Sequence, residues 1–147
     1  MGTEVLTRSY DNGRTGANTA ETTLTPALVA SQGLVRVRSF SIDDDPRIEA
    51  QPLYLPNVEM PDGKTHDVLF VASMGNHIWA FDANGNGVWK TPQLGAPFRP
   101  AKDANGPRPT STVIDNWGIN ILWGILSTPV IDIDRIAFFE REERIDA

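Results

Sequence analysis

The residues best suited to chemistry lie in Asp82-Ala83-Asn84-Gly85-Asn86-Gly87, which has the D-x-N-x-N-G opening of a calcium loop. Calcium takes several oxygen ligands, normally with a bidentate carboxylate at the twelfth loop position. Counted from Asp82, that position is Gln93, so the loop keeps a single carboxylate. The expectation is a hairpin turn in which Gly85, Gly87 and an Asn take positive φ at little cost. His66 and His77 are the only histidines. His66 reads as a loop residue and His77 as the opening of a strand. With no partner His, Cys or clustered carboxylate nearby in sequence, neither is expected to bind a metal. Cysteine is absent, which excludes disulfides and thiolate metal sites. There is no G-x-S-x-G elbow, phosphate-cradling glycine loop or dinucleotide fingerprint. Trp79, Trp89, Trp117 and Trp123 offer a stacking or partner surface, or else core packing. No catalytic, cofactor-binding or metal-binding residue is assigned on this basis.

The elements around these residues read as strands. Val68–Ala72 is a continuous apolar run, as in a strand buried on both faces, and His77–Phe81 is the next strand. Val88-Trp89-Lys90-Thr91 begins another. Ile48–Val58 carries two prolines, which restrict it to a sheet edge or a strand start. Pro61-Asp62-Gly63 is a strong turn signal. Gly33–Ile42 alternates Leu34, Arg36, Arg38 and Phe40 against Val35, Val37, Ser39 and Ser41, the pattern of a strand with one partly polar face. Ile125–Asp132 resumes strand character. Residues 1–32 are polar and turn-rich, with Thr25 as cap and Pro26 at the first position of a short helical turn. Residues 92–124 form a Pro/Gly-rich insertion. Residues 125–147 open a second strand unit and end in a charged tail, a short helix paired Glu140–Arg144 or a frayed end.

Composition bounds the partners. The chain has 147 residues, 12 Gly and 11 Pro, which favours turns over long helices. Thirteen basic residues are scattered against nineteen acidic ones, for a net charge of −6. That balance disfavours nucleic acid, because phosphates would go unneutralised. The apolar stretch Trp117–Leu126 is far shorter than the ~20 residues needed to span a bilayer. Residues 1–13 show neither a basic n-region nor an apolar h-region, so no signal peptide is expected here.

Two segments echo each other. Ala50-Gln51-Pro52-Leu53-Tyr54 and Ser127-Thr128-Pro129-Val130-Ile131 each place a small or polar pair and a proline before β-formers. Their separation exceeds a propeller repeat of ~40–50 residues, and reads as one repeat plus the insertion. With Ala80-Phe81-Asp82-Ala83-Asn84-Gly85-Asn86-Gly87-Val88-Trp89, the chain resembles the quinoprotein alcohol-dehydrogenase-like β-propellers, the superfamily of pyrroloquinoline-quinone (PQQ) repeats. The repeat there is a strand, Ala-x-Asp, a Gly turn and a Trp opening the outer strand. Tyr10-Asp11-Asn12 with Thr22–Pro26 is similar to the lead-in before the first blade of secreted bacterial members.

The resemblance implies an all-β fold: a partial propeller of about one and a half four-stranded antiparallel blades behind an irregular lead-in. The expected divisions are a lead-in at 1–32, a first blade region at 33–91, the insertion at 92–124 and the start of a second blade at 125–147. It further implies a fragment of a larger propeller, whose whole form is periplasmic or extracellular. The expected role is a non-catalytic binding or scaffold module, inactive alone, that partners the remaining blades or another protein and is prone to self-association. The alternative is the N-terminal part of a PQQ-dependent alcohol or sugar dehydrogenase. In such enzymes a Glu stands three residues before the blade's proline and contacts the quinone, a spacing met by Glu49-Ala50-Gln51-Pro52. PQQ and calcium are expected only in that case. The plain reading of Glu49 is a surface residue at a strand start.

Overall fold

A computed structural model describes residues 4–11, 13–43, 47–98 and 122–133. Its centre is one antiparallel sheet of four strands in sequential order: β1 (Leu53–Glu59), β2 (Thr65–Ala72), β3 (Ile78–Asp82) and β4 (Val88–Lys90). Among the described residues the single helix, α1 (Pro26–Gln32), starts as its cap predicts: the Thr25 side chain accepts from the Leu28 N–H. The regular structure of the described residues is therefore mostly sheet, in agreement with the all-β expectation.

Alternation along the strands sorts the side chains to two faces. On the first, Leu55, Val58, Met60, Val68 and Ala80 form a buried cluster, with Leu6, Phe70, Trp89 and Ile131 packed against it. On the second, Val71, Trp79 and Phe81 are buried beneath Phe40, Ile42 and Leu69. Both faces of β2 are covered from Val68 to Ala72, which is why that stretch is apolar without a break. Burying one such side chain contributes ~1.5–3 kcal/mol. Phe81 stacks parallel to Trp79 with ring centres 5.9 Å apart and meets Phe40 at 4.8 Å.

The two proline-marked segments come together. The Gln51 N–H donates to Thr128 Oγ1 at 2.9 Å, and these residues each stand one place before their proline. The segment from Val5 to Ser9 ties both down. Val5 forms an antiparallel bridge with Tyr54, the Ile131 N–H donates to the Leu6 carbonyl at 2.9 Å, and the Ser9 N–H donates to Gln51 Oε1 at 2.9 Å. Upstream of Thr128 the contact continues along the turn between β2 and β3. The Ile125 N–H donates to the Ser73 carbonyl, and Gly124 lies so close to the Met74 carbonyl that a Cβ would overlap it. The ends of the insertion also meet, because Phe98 and Trp123 pair as an antiparallel bridge. The body of the insertion, with Trp117, and the tail after Ile133 lie outside the described residues.

Three expectations are corrected. Residues 33–42 form no strand. Phe40 and Ile42 pack on the second sheet face instead of joining a ladder, and Arg38 donates its guanidinium N–H groups to the carbonyls of Asn84 and Gly85. A side chain laid over a face cannot extend the sheet sideways. Leu34, Val35 and Val37 are consequently exposed. Residues 125–132 likewise run without strand pairing, held by the single contacts above. Finally, the turn from Asp82 to Gly87 contains no positive φ; that conformation appears at Asn57, Gly63 and Asn76. Gly85 and Gly87 are required by space instead. A Cβ on Gly85 would strike the Asp82 carboxylate, and one on Gly87 would strike the Trp89 ring.

Candidate functional site

The polar residues converge at the end of the sheet where the β1–β2 and β3–β4 turns lie side by side. His66 is the second residue of β2, not a loop residue, and it points at both turns. Its Nε2 lies 3.0 Å from Asp62 Oδ2, in the turn that Gly63 makes possible with φ 72°. Its Nδ1 lies 2.9 Å from Asp82 Oδ2, at the end of β3. The ring makes a T-shaped contact with that of Trp89 on β4, with centres 5.1 Å apart. One imidazole thus touches both turns and the edge strand.

Each carboxylate has further support. Asp82 Oδ1 accepts from the Asn84 N–H at 2.9 Å, and Asp62 Oδ1 accepts from the Lys64 N–H at 3.0 Å. Asp67 extends the network: its carboxylate accepts from the Asn84 amide at 2.8 Å and from the Asn57 N–H at 3.1 Å. Hydrogen bonding to Asp62, then to Asp82, raises the His66 pKa above its ordinary value and outweighs burial, which lowers it. Asp82 is held below the usual carboxylate range, first by the Asn84 N–H and then by His66, against burial. Burial alone would raise Asp62, but the Lys64 N–H and His66 bring it below its ordinary value. Tyr54 is raised, by burial and by the neighbouring Asp67.

Asn57, Thr65, His66, Asp67, Asp82, Asn84 and Gly85 line a shallow, open recess of about 390 Å³. Its chemistry is that of a satisfied network. Both imidazole nitrogens face carboxylates, so neither is placed to take a proton from a nucleophile. The two carboxylates stand on opposite sides of the ring and cannot share a cation. Asp82 Oδ1 and Oδ2 are engaged by Asn84 and His66, and the loop carbonyls of Asn84 and Gly85 by Arg38. Among the described residues, no group of three or more His, Asp or Glu side chains is arranged to hold a metal ion.

The remaining sequence candidates lie apart. Glu49 is exposed before β1. His77 lies just before β3, at the opposite end of the sheet from His66. Trp79 is buried in the second face under the Lys90 ammonium, 4.4 Å from the ring centre, and its Nε1–H has no hydrogen-bond partner. Trp89 is half-buried over Gly87 on the first face, opposite Ala80 in register. Trp123 is bridged to Phe98. Sequence reasoning missed the His66 cluster because its members sit in two turns and a strand. The available signal was Asp62, inside the Pro-Asp-Gly turn and four residues before His66, with Asp82 opening the β3–β4 turn. Comparisons with protein-family models, with curated proteins and with solved structures found no match. Among the described residues, no helix is long and apolar enough to cross a membrane.

Proposed function

We propose that this chain supplies a sheet module of a PQQ-like repeat propeller and works as a binding or scaffold element, without catalysis of its own. The observation that supports this reading most is the meeting of the two echoing segments through Gln51 and Thr128, at equal distance before Pro52 and Pro129. In a repeat array, equivalent positions of successive units lie side by side and stability comes from contacts between neighbours. The sequential order of the four strands and the packing of Trp89 against Ala80 and Gly87 fit the same unit. Unit and neighbour then need further sheets or another protein to cover Val88 on the edge strand and the exposed Leu34, Val35 and Val37.

The test is light scattering of the purified chain over a hundredfold concentration range, beside a calorimetric titration with PQQ and calcium. The proposal expects mass to rise with concentration and no saturable quinone uptake. A strict monomer with one sharp cooperative melt would count against a module that depends on neighbours. Saturable quinone binding, lost in Glu49→Gln, would favour the dehydrogenase reading.

A further inference from the structure

We propose that His66 is a pH-operated latch that locks the β1–β2 turn to the β3–β4 turn at one end of the sheet and releases the Asp62 side when the imidazole loses its proton. This inference rests on the side-chain geometry alone and stands whether or not the chain belongs to a propeller.

The latch has two jaws. The protonated ring donates from Nε2 to Asp62 Oδ2 at 3.0 Å and from Nδ1 to Asp82 Oδ2 at 2.9 Å. A neutral imidazole has one N–H and one lone pair. One nitrogen must then face a carboxylate with a lone pair, and that contact becomes repulsive. The two jaws are unequal. The Asp82 side chain is 11% exposed and stays bonded to the Asn84 N–H, whereas the Asp62 side chain is 39% exposed in a turn. Water replaces His66 at Asp62 more readily than at Asp82, so the proton is retained on Nδ1 and the Asp62 contact opens.

The charged groups around the ring define the response. From the β1–β2 turn come Asp62 and, through its carboxylate, Lys64. From the end of β3 comes Asp82. From β4 comes the uncharged Trp89 ring. On β2 itself Asp67 is occupied by Asn57 and Asn84, and Arg38 is committed to the carbonyls of the Asp82–Gly87 turn. No group other than the two aspartates contacts an imidazole nitrogen among the described residues. The direction follows from linkage. The folded-state pKa of His66 is raised, so the latch is fully closed below the ordinary histidine value and opens as pH rises through the folded value. Both aspartates are lowered, so they remain ionised partners until strongly acidic pH. The closed window runs from above the lowered carboxylate range up to the raised folded value of His66, whose side chain lines the polar recess.

The experiment is a proton–nitrogen NMR titration of the intact chain from pH 5 to 9, following the His66 ring nitrogens and the amides of Gly63, Lys64 and Asn84. The Lys64 N–H reports the Asp62 jaw and the Asn84 N–H the Asp82 jaw. The expected result is one midpoint, above the ordinary histidine value, shared by the ring and the Gly63 and Lys64 amides, with a smaller response at Asn84. His66→Gln should abolish the transition at Lys64. Asp62→Asn should move the His66 midpoint down while the spectrum keeps the dispersion of a folded sheet. A His66 midpoint with no accompanying change at Lys64, or an equal response at Asn84, would overturn the latch. So would an unchanged His66 midpoint in Asp62→Asn.

Discussion

Replacing Gly87 by Ala isolates the contact that joins the glycine turn to its tryptophan. Gly87 has no positive φ, so an alanine suffers no backbone penalty there. Its methyl group would instead occupy space held by the six-membered ring of Trp89. The ring must swing away, and it leaves the Leu55, Val58, Met60, Val68 and Ala80 cluster and the His66 ring. A tryptophan buries ~150–250 Å² in a core, and Trp89 is half-buried, so ~100 Å² is at stake. At ~25 cal/mol per Å² this is about 2–3 kcal/mol, an upper figure because the displaced ring keeps some cover. The expected loss is ~2 kcal/mol, a large part of the ~5–15 kcal/mol typical of a domain. Urea denaturation should show a lower midpoint with an unchanged slope. The decisive comparison is a double-mutant cycle. In a Trp89→Ala background, Gly87→Ala should cost less than ~0.5 kcal/mol, because the obstructed ring is gone. Equal costs in the two backgrounds would refute the packing argument.

Other perturbations follow from the same contacts. Phe81→Ala removes a ring that is 1% exposed and stacked between Trp79 and Phe40, and should cost ~3–5 kcal/mol in denaturant melts. Arg38→Ala removes the exposed bonds to Asn84 and Gly85. It should lower global stability by less than ~1 kcal/mol, while limited proteolysis within residues 33–40 becomes faster. Thr128→Val deletes the acceptor of the Gln51 N–H and should cost ~1 kcal/mol in thermal melts, more than a Ser substitution that keeps the hydroxyl.

The strands were legible where apolar pattern and turn chemistry agreed. Val68–Ala72 is unbroken because both sheet faces are covered, and Pro61-Asp62-Gly63 marks a turn that needs Gly63 at φ 72°. The reading failed where a side chain had a second use. Residues 33–42 alternate like a strand, yet only Phe40 and Ile42 lie over a sheet face, Arg38 caps carbonyls, and Leu34, Val35 and Val37 stay exposed with no ladder to join. Gly85 and Gly87 looked like conformational choices and are steric ones. The His66 cluster was legible only in its local half, Asp62 and His66, because Asp82 reaches the same imidazole only once β2 is paired with β3.

The union of the echoing segments through residues 5–9 is open to direct measurement by amide hydrogen exchange at single-residue resolution. The N–H groups of Val5, Gln51, Tyr54 and Ile131 should be protected within about tenfold of those in β2 and β3, because opening them requires parting residues 5–6 from Tyr54 or from Ile131, or Gln51 from Thr128. Exchange of these four at unstructured rates, while Val68–Ala72 stays protected, would contradict it and leave a lone hairpin sheet with unrelated flanking chain.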